Sequence, residues 1–412
     1  MKNVKCGKCV RCGKEYAATP DLTNCECGGI LDIIYDYDYI KSVLTKEMMA
    51  ERKNPTMWRY RELLPVEETT PDTPLRVGMS PLYEEPRLAE MLGLGKLWIK
   101  DDGQNPTASL KDRASAMAVV KAREAGADTI ACSSTGNAAS SLAGNAAAAG
   151  RATYIFVPSR APKGKVAQRM IFGATVISVD GSYEDTFALS KAAIDRWGWY
   201  NRNAAINPYL SEGKKTVSFE LMEQLGWQVP DYVALSVGDG CTIAGVWKGL
   251  KDLYETGFID RLPRLISVQA EGCCPLNRAL QTGEPWSPME ENTLADSIAV
   301  GVPRNADKAL NAVRESNGIA VNVSDEEILE AMRLLGRTQG VFGEPAGVTG
   351  TAGVKKALEL GLIDPDSTVV SIVTGNGLKD VANGIRAAGE PMLVRPDLDA
   401  LLSAFDARNI HP

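Results

Sequence analysis

The chain has 412 residues, a formal net charge of −7, 44% hydrophobic residues and 24% charged residues. This length allows two or three domains, and the acidic balance argues against nucleic acid as a partner, because phosphate contacts need clustered Lys and Arg. No run of about 18 apolar residues could cross a membrane, and the N-terminus lacks the apolar core of a signal peptide, so we expect a cytoplasmic protein without a membrane partner.

The only histidine in the sequence is His411, next to the last residue. Terminal residues are usually poorly ordered, so this position nearly excludes Ser-His-Asp and Cys-His catalysis and any His-based metal catalyst. Acid–base chemistry, if present, must come from Lys, Asp, Glu, Tyr or Cys, or from a cofactor.

The first predicted element, at residues 1–45, is a cysteine-rich head that resembles a zinc ribbon with a shortened second knuckle. Five of the nine cysteines lie within residues 6–27, and such clustering in a cytosolic protein suggests a metal before disulfides. A structural, tetrahedral zinc site would use four thiolates, those of Cys9, Cys12, Cys25 and Cys27. Reduced cysteines without a metal remain the alternative.

The segment that follows, 46–80, is charged and punctuated by prolines, which predicts an arm or linker. After Pro81, short β-branched runs alternate with alanine-rich helical stretches such as 110–125, 137–149, 163–172 and 183–197. The predicted strands are 96–100, 128–134, 153–159, 174–180, 232–238, 264–272 and 367–377. This alternation predicts an α/β protein with open, mainly parallel sheets, whose strands are buried on both faces.

Three of the predicted strands end in turns of similar composition: CSSTGNAAS (132–140), SVGDGCTIAG (236–245) and VTGNGLKD (373–380). Ligands of open parallel sheets bind at the carboxyl ends of the strands. In the second turn, Gly238 and Gly240 allow the backbone to approach an anion at a helix N-terminus, and Thr242 adds a hydroxyl. The spacing fits neither a Walker loop nor a dinucleotide fingerprint, so a phosphate monoester is the better candidate.

A lysine, Lys111, stands at the start of a predicted helix in NPTASLKDR (105–113). A lysine together with a phosphate site suggests pyridoxal 5'-phosphate, which a lysine holds covalently by its aldehyde. Thr374 is a candidate partner for the pyridine nitrogen, and Asn137 for the phenolic oxygen. The hydroxyls and N–H groups of Ser134, Thr135 and Gly136 suit a substrate carboxylate.

NPTASLKDR closely resembles the NPTGSFKDR signature of threonine synthases, which belong to the fold-type II pyridoxal-phosphate enzymes with the tryptophan synthase β subunit. STGNAASS, KGKVAQRMIFGATVISVDGSYEDT (163–186), NPYLSEGKKT (207–216), FGEPAG (342–347) and TGNGLKD follow in the order that this family shows. Ala108 and Leu110 depart from the signature, in place of its glycine and phenylalanine, and so does the phosphate loop, which reads VGDGCTI.

The resemblance implies two open α/β domains of the tryptophan synthase β-like kind. The large domain would take 46–115 and 206–395, the small substrate domain 116–205, and a tail 396–412. Lys111 would hold the cofactor and act as the base, and the resemblance assigns the cofactor phosphate to Gly238, Asp239, Gly240, Cys241 and Thr242. Asp239 would repel the phosphate unless its side chain points away. A homodimer is the family expectation.

The resemblance also implies the reaction of threonine synthases, in which O-phospho-L-homoserine and water give L-threonine and phosphate. A second anion site must then hold the leaving phosphate, and the candidates are Arg113, Arg160, Lys163 and Lys165. Two alternatives keep the cofactor: β-replacement on O-phosphoserine, as in the related cysteate synthases, and deamination of threonine or serine. A non-catalytic zinc-ribbon interaction protein on an enzyme scaffold is the distant alternative.

Overall fold

The computed structural model describes residues 1–159, 163–204, 206–408 and 410, with the backbone alone at 163–165 and 183. The N-terminal head is an antiparallel three-stranded sheet of order β2-β1-β3, formed by β1 Val4–Cys9, β2 Glu15–Tyr16 and β3 Leu31–Tyr35. His411, which the sequence places next to the last residue, lies outside the described residues.

The largest sheet has six strands in the order β12-β11-β10-β13-β5-β4. All its pairs are parallel except that of β4 with β5. Its strands are β4 Leu82–Glu84, β5 Lys96–Asp101, β10 Tyr232–Ser236, β11 Arg264–Ala270, β12 Ile319–Val323 and β13 Thr368–Val373. The central strand β10 is buried along its whole length, as expected for a parallel sheet covered on both faces.

A second sheet has four parallel strands in the order β8-β7-β6-β9. Its strands are β6 Thr129–Ser133, β7 Ala152–Pro158, β8 Thr175–Val179 and β9 Tyr200–Asn201. The two parallel sheets confirm the predicted α/β class. The strand predictions agree to within a few residues, while β4, β9 and β12 were not predicted because they are short or edge strands with weak patterns.

Sixteen α-helices are present in the described residues. They are α1 Tyr37–Val43, α2 Lys46–Ala50, α3 Pro86–Leu92, α4 Lys111–Glu124, α5 Asn137–Ala148, α6 Lys163–Ile171, α7 Tyr183–Trp197, α8 Tyr209–Lys214, α9 Thr216–Gln224, α10 Cys241–Glu255, α11 Pro275–Thr282, α12 Ala306–Glu315, α13 Asp325–Gln339, α14 Pro345–Glu359, α15 Val381–Ala388 and α16 Leu398–Ala407. Within these described ranges, none of the helices is long and apolar enough to cross a membrane.

The prediction of an arm or linker at 46–80 is wrong. This segment contains α2 and a 3-10 helix at Met57–Leu63, and Met57, Trp58 and Tyr60 are buried in the core of the large sheet. Tyr60 Oη also donates to Glu223 Oε2 at 2.5 Å. Its helical turns are too short to show an apolar period, so the prolines and charges dominated the pattern.

Candidate active site

The two parallel sheets enclose a cavity of about 600 Å3. Strand ends and the turns after them supply most of its lining, as expected for parallel sheets. Eleven of the predicted site residues line it: Lys111, Ser134, Thr135, Gly136, Asn137, Gly238, Asp239, Gly240, Cys241, Thr242 and Thr374. The structure therefore brings together groups that lie up to 263 residues apart along the chain.

Lys111 is the first residue of α4, and its amine opens into the cavity. The backbone before it is tied to the end of β13, because Leu110 N–H donates to the Thr374 carbonyl at 2.9 Å. Burial lowers the pKa of Lys111 to about 8, and the neighbouring Lys214 ammonium adds to this effect. A neutral, nucleophilic amine is therefore available near neutral pH.

The turn before Lys111 holds a strained residue. Ala108 has φ 67°, a left-handed conformation that costs a residue with a Cβ roughly 1–2 kcal/mol. Its N–H donates to Asn105 O at 2.7 Å and its carbonyl accepts from Asn376 N–H at 3.1 Å, so both sides of the turn are fixed. Alanine at the position of the signature glycine therefore keeps the same turn, at the cost of a strained backbone conformation.

We expect Ala108→Gly to raise the free energy of unfolding by about 0.5–1 kcal/mol, because glycine adopts this φ without strain. Denaturant unfolding of both proteins measures the change. The same substitution at exposed Ala125, which has φ −78°, is the control and should destabilise the protein by a similar amount. Equal signs at both positions would contradict the strain at Ala108.

Two helices direct free backbone N–H groups into the cavity. α5 begins after Gly136 and α10 after Gly240, and neither N-cap residue supplies a side-chain hydrogen bond. Gly240 has φ 86°, and a Cβ there would lie 2.6 Å from Ala309 Cβ, so only glycine fits. Uncapped N-termini carry partial positive charge and bind anions, which suits a carboxylate at one terminus and a phosphate at the other.

Asp239 lies in the predicted phosphate loop, but its carboxylate is engaged elsewhere. Oδ1 accepts from the N–H of Arg304 at 2.7 Å, and Oδ2 accepts from Asn305 Nδ2 at 3.1 Å. The side chain thus fixes the segment before α12, and the loop presents its backbone to the cavity. The Asp239 carboxylate therefore points away from the predicted phosphate position, as the sequence analysis requires.

Glu344 is a cavity residue that the sequence analysis left without a role. Its Oε1 accepts from Asn137 Nδ2 at 2.6 Å, and its side chain is 3% exposed. It also follows Gly343, which pairs with Asn376 beside Thr374. Its place in the FGEPAG motif was the available signal. The contact fixes the orientation of the Asn137 amide at the start of α5.

Arg202 and Lys214 are two further cavity residues that sequence reasoning missed. Each is 2% exposed, and both lie close enough to Lys111 to lower its pKa. Lys214 belongs to the NPYLSEGKKT stretch, where it is adjacent to Lys215. The sequence does not indicate which of these two lysines faces a ligand. Only the direction of α8 separates Lys214 from Lys215.

The structure corrects the predicted role of Arg113 in binding the substrate phosphate. Its guanidinium is wholly buried outside the cavity and contacts both oxygens of Asp102 and both of Glu220 at 2.5–2.7 Å. An arginine engaged in this way is not available to a ligand. Arg160 lies outside the described residues, and Lys163 and Lys165 are described as part of α6 without their side chains.

The four predicted metal ligands form a compact group in the head. The Sγ atoms of Cys9, Cys12, Cys25 and Cys27 all lie within 4.8 Å of one another. The Cys9–Cys27 and Cys12–Cys25 pairs are separated by 3.6 and 3.5 Å, close to the edge of about 3.8 Å expected for a tetrahedron with Zn–S bonds of about 2.3 Å. Cys6 is outside the group.

Comparison with known proteins adds independent findings. Residues 74–375 match the family described as pyridoxal-phosphate dependent enzymes. The chain is 42% identical to a threonine synthase of Methanocaldococcus jannaschii, over 96% of this chain and 98% of the relative. It is also 42% identical to a threonine synthase of Methanosarcina acetivorans, over 97% of this chain and 98% of the relative.

Solved structures show the same fold at lower identity. Maize serine racemase matches with a TM-score of 0.63 and 22% identity, over 80% of this chain and 92% of that one. Threonine deaminase isoform 2 from Solanum lycopersicum matches with a TM-score of 0.63 and 21% identity, over 75% of this chain and 86% of that one. At this identity, the similarity establishes the fold alone.

Proposed function

The chain belongs to the threonine synthase family of pyridoxal-phosphate-dependent enzymes, and we propose that it converts O-phospho-L-homoserine and water to L-threonine and phosphate. The observation that carries the proposal is one cavity that holds the partly buried Lys111 and two uncapped helix N-termini. Threonine synthases that are 42% identical over nearly the whole chain support the same reaction.

The residues around the cavity fit pyridoxal phosphate. Lys111 would hold its aldehyde carbon, Thr374 would face the pyridine nitrogen and Asn137 the phenolic oxygen. The loop of Gly238, Asp239, Gly240, Cys241 and Thr242 would bind the phosphate with the N-terminus of α10. When bound, the cofactor supplies an electron sink for negative charge that develops on the substrate carbons.

The protein's own groups would then perform positioning and proton transfer. Ser134, Thr135 and Gly136, with the N–H groups at the start of α5, would bind the substrate carboxylate. The Lys111 amine would take a proton first from Cα and then from Cβ, and return protons later. Phosphate would leave from Cγ, and water would add at Cβ. Enclosure between the sheets would restrict water to the molecule that reacts.

A substrate comparison tests this proposal. Holoenzyme supplied with O-phospho-L-homoserine should form threonine and phosphate in equal amounts. O-phospho-L-serine with sulfite, and L-threonine alone, are run in parallel as substrates for β-replacement and deamination. A higher kcat/KM with either of these would reject the proposed substrate while leaving the cofactor in place.

We expect attachment of the cofactor to be pH-dependent, because only the neutral amine of Lys111 reacts with an aldehyde. With a pKa of about 8, the neutral fraction rises about tenfold per unit below pH 8 and levels off above it. Stopped-flow absorbance after mixing apoprotein with pyridoxal phosphate measures the rate. A rate that continued to rise towards pH 10.5 would contradict the lowered pKa.

A structural zinc ion in the Cys9, Cys12, Cys25 and Cys27 group is also part of the proposal, supported by four Sγ atoms that lie within 4.8 Å of one another. Four protein ligands leave no open position for catalysis. The head contacts the catalytic part through Arg11, whose guanidinium lies 2.8 Å from Asp307 in α12. The ion would therefore stabilise the fold of the head and, through it, the contact between the head and α12.

We expect Cys25→Ser to lose the bound zinc and about 3 kcal/mol of stability, because metal bound only by the folded state stabilises it by mass action. Metal analysis and thermal unfolding measure both effects. Cys6→Ser is the control, since Cys6 lies in β1 of the same head but outside the group. Equal zinc content in the Cys25 variant would reject the site.

The proposal also includes the domain division, the cellular location and the oligomeric state. The domain division at 1–45, 46–115 with 206–395, and 116–205 is supported by the three separate sheets. A cytoplasmic location is supported by nine cysteines that are all free, as in reducing compartments. A homodimer is supported by the exposed apolar side chains of Phe342, Leu378, Val381 and Ile385; light scattering tests the homodimer.

A further inference from the structure

Two buried cations at the first turn of α10 have no carboxylate partner among the residues that the structure describes. Lys214 ends α8, and Arg202 follows β9; both line the cavity and both are 2% exposed. Among the described residues, the Arg202 guanidinium donates only to Ser115 Oγ, at 3.1 and 3.2 Å. Lys214 lies within hydrogen-bonding reach of the Cys241 thiol.

Several other buried cations of this protein are paired with carboxylates, whereas the buried Arg169 donates to the backbone carbonyls of Thr135 and Gly136. Lys215, adjacent to Lys214, contacts Glu212 and Asp252, each at 2.6 Å, and Arg113 contacts two carboxylates. A buried charge without a partner costs several kcal/mol. Lys214 has the Cys241 thiol and Arg202 the Ser115 hydroxyl, but neither has a carboxylate among the described residues, so we expect a ligand in the cavity to supply the missing negative charge.

The surroundings specify the type of anion. Cys241 is the first residue of α10, so Lys214 lies beside the uncapped N-terminus that follows Gly240. The position of a Cβ on Gly245, one turn further along α10, is 3.1 Å from Lys214 Cβ. Burial alone would raise the pKa of Cys241, but Lys214 outweighs it and lowers that pKa. Strong positive potential at a helix N-terminus suits a dianion.

We infer that Lys214 and Arg202 bind the phosphate monoester dianion of a ligand at the N-terminus of α10. The inference rests on the proposed function, which brings two such ligands to the cavity: the cofactor and the phosphorylated substrate. Both present the same chemistry. The proximity to Cys241, inside the loop assigned to the cofactor phosphate, places the two cations on that side of the cavity.

The first test measures how the apoprotein binds pyridoxal phosphate and pyridoxal, which lacks the phosphate. Each of the variants Lys214→Gln and Arg202→Gln loses a charge-assisted contact with the phosphate. It should therefore bind pyridoxal phosphate roughly 10- to 100-fold more weakly than the wild type. Its affinity for pyridoxal should change less than about twofold. Lys214→Arg should restore most of the affinity. Lys251→Gln is the control, because Lys251 lies in α10 but outside the cavity lining and pairs with exposed Glu315.

The second test measures inhibition of the holoenzyme by inorganic phosphate, together with KM for the substrate. Variants that weaken phosphate inhibition while keeping cofactor affinity would assign the cations to the substrate phosphate. Equal loss of pyridoxal and pyridoxal phosphate would show a merely structural role and overturn the inference, as would unchanged values in both tests. If the variants lose affinity for pyridoxal phosphate but not for pyridoxal, and the wild type forms no threonine, the proposed reaction is rejected and this inference is retained.

A measurement on the wild-type holoenzyme keeps the inference testable if the variants fail to fold. An ordinary phosphate monoester takes up its second proton near pH 6. Between two cations and a helix N-terminus, the phosphate of the cofactor or of the product should remain dianionic. Its 31P chemical shift should therefore stay constant when it is recorded from about pH 5 to about pH 8. Titration of both phosphates near pH 6 would overturn the inference.

Discussion

Lys111→Ala is expected to lower kcat by at least about 10³-fold while the fold is retained. Lys111 would supply both the covalent attachment of the cofactor and the proton transfers, so no other group substitutes for it. Its side chain ends in the cavity rather than in the core, and its amine has a pKa of about 8 in consequence of burial. Removing it therefore takes away no ion pair with any residue that the structure describes.

Steady-state phosphate release and circular dichroism measure activity and fold in the same preparation. The near-visible absorbance band of lysine-bound cofactor should also be absent from the variant. Lys251→Ala removes an exposed lysine and should retain both the band and the activity. Turnover within about tenfold of wild type in the Lys111 variant would contradict its catalytic role.

Arg113→Met is expected to destabilise the protein by about 3–5 kcal/mol, because it removes the cation shared by two buried carboxylates and leaves Asp102 without its ion-pair partner. Asp102 and Glu220 are both fully buried, and Lys100 remains at 3.0 Å from Glu220 alone. Denaturant unfolding measures the loss. Arg261→Met, at an exposed pair with Asp231, should cost less than about 1 kcal/mol.

The same ion network predicts an acid limit to stability. Burial would raise the pKa of Glu220, but Arg113 and Lys100 outweigh it and lower this pKa to about 2. A depressed carboxyl pKa stabilises the fold fully above its unfolded value, near 4.3, and this contribution is lost as the pH falls towards 2. Stability that is unchanged between pH 5 and 2 would contradict the network.

These two residues, two positions apart, show what the sequence could and could not predict. Lys111 was identifiable because a lysine at a helix start, after a turn of polar residues, coincided with a phosphate-type turn elsewhere. Arg113 lies on another side of α4, where 3.6 residues per turn direct it into the core. Nothing in the local pattern NPTASLKDR separates a ligand-facing cation from one that pairs with Asp102 and Glu220.

The sheets were predictable for a different reason. The strands of the large sheet read as continuous apolar runs bounded by glycine turns, and the carboxyl ends of parallel strands meet at one edge. That rule brought Asn137, Gly240 and Thr374 to one cavity before any contact was known. The edge strand β4 and the segment around Trp58 were missed because their burial depends on distant partners.

The positions of Glu344 and Lys214 in the cavity could not be predicted from the sequence. Glu344 and Lys214 face the cavity because of the directions in which α14 and α8 start and end. Their residue types are compatible with a solvated helix face, and only the packed structure shows that Lys214 is buried. Long-range geometry, rather than local propensity, decides such positions.

Isotope tracing most directly tests the assignment of this chain as a threonine synthase. The holoenzyme is incubated with O-phospho-L-homoserine in H218O, and threonine and phosphate are analysed by mass spectrometry. Loss of phosphate from Cγ followed by addition of water at Cβ predicts 18O in the threonine hydroxyl and none in the phosphate. Label in the phosphate, with homoserine as the product, would mean simple hydrolysis and would contradict the assignment.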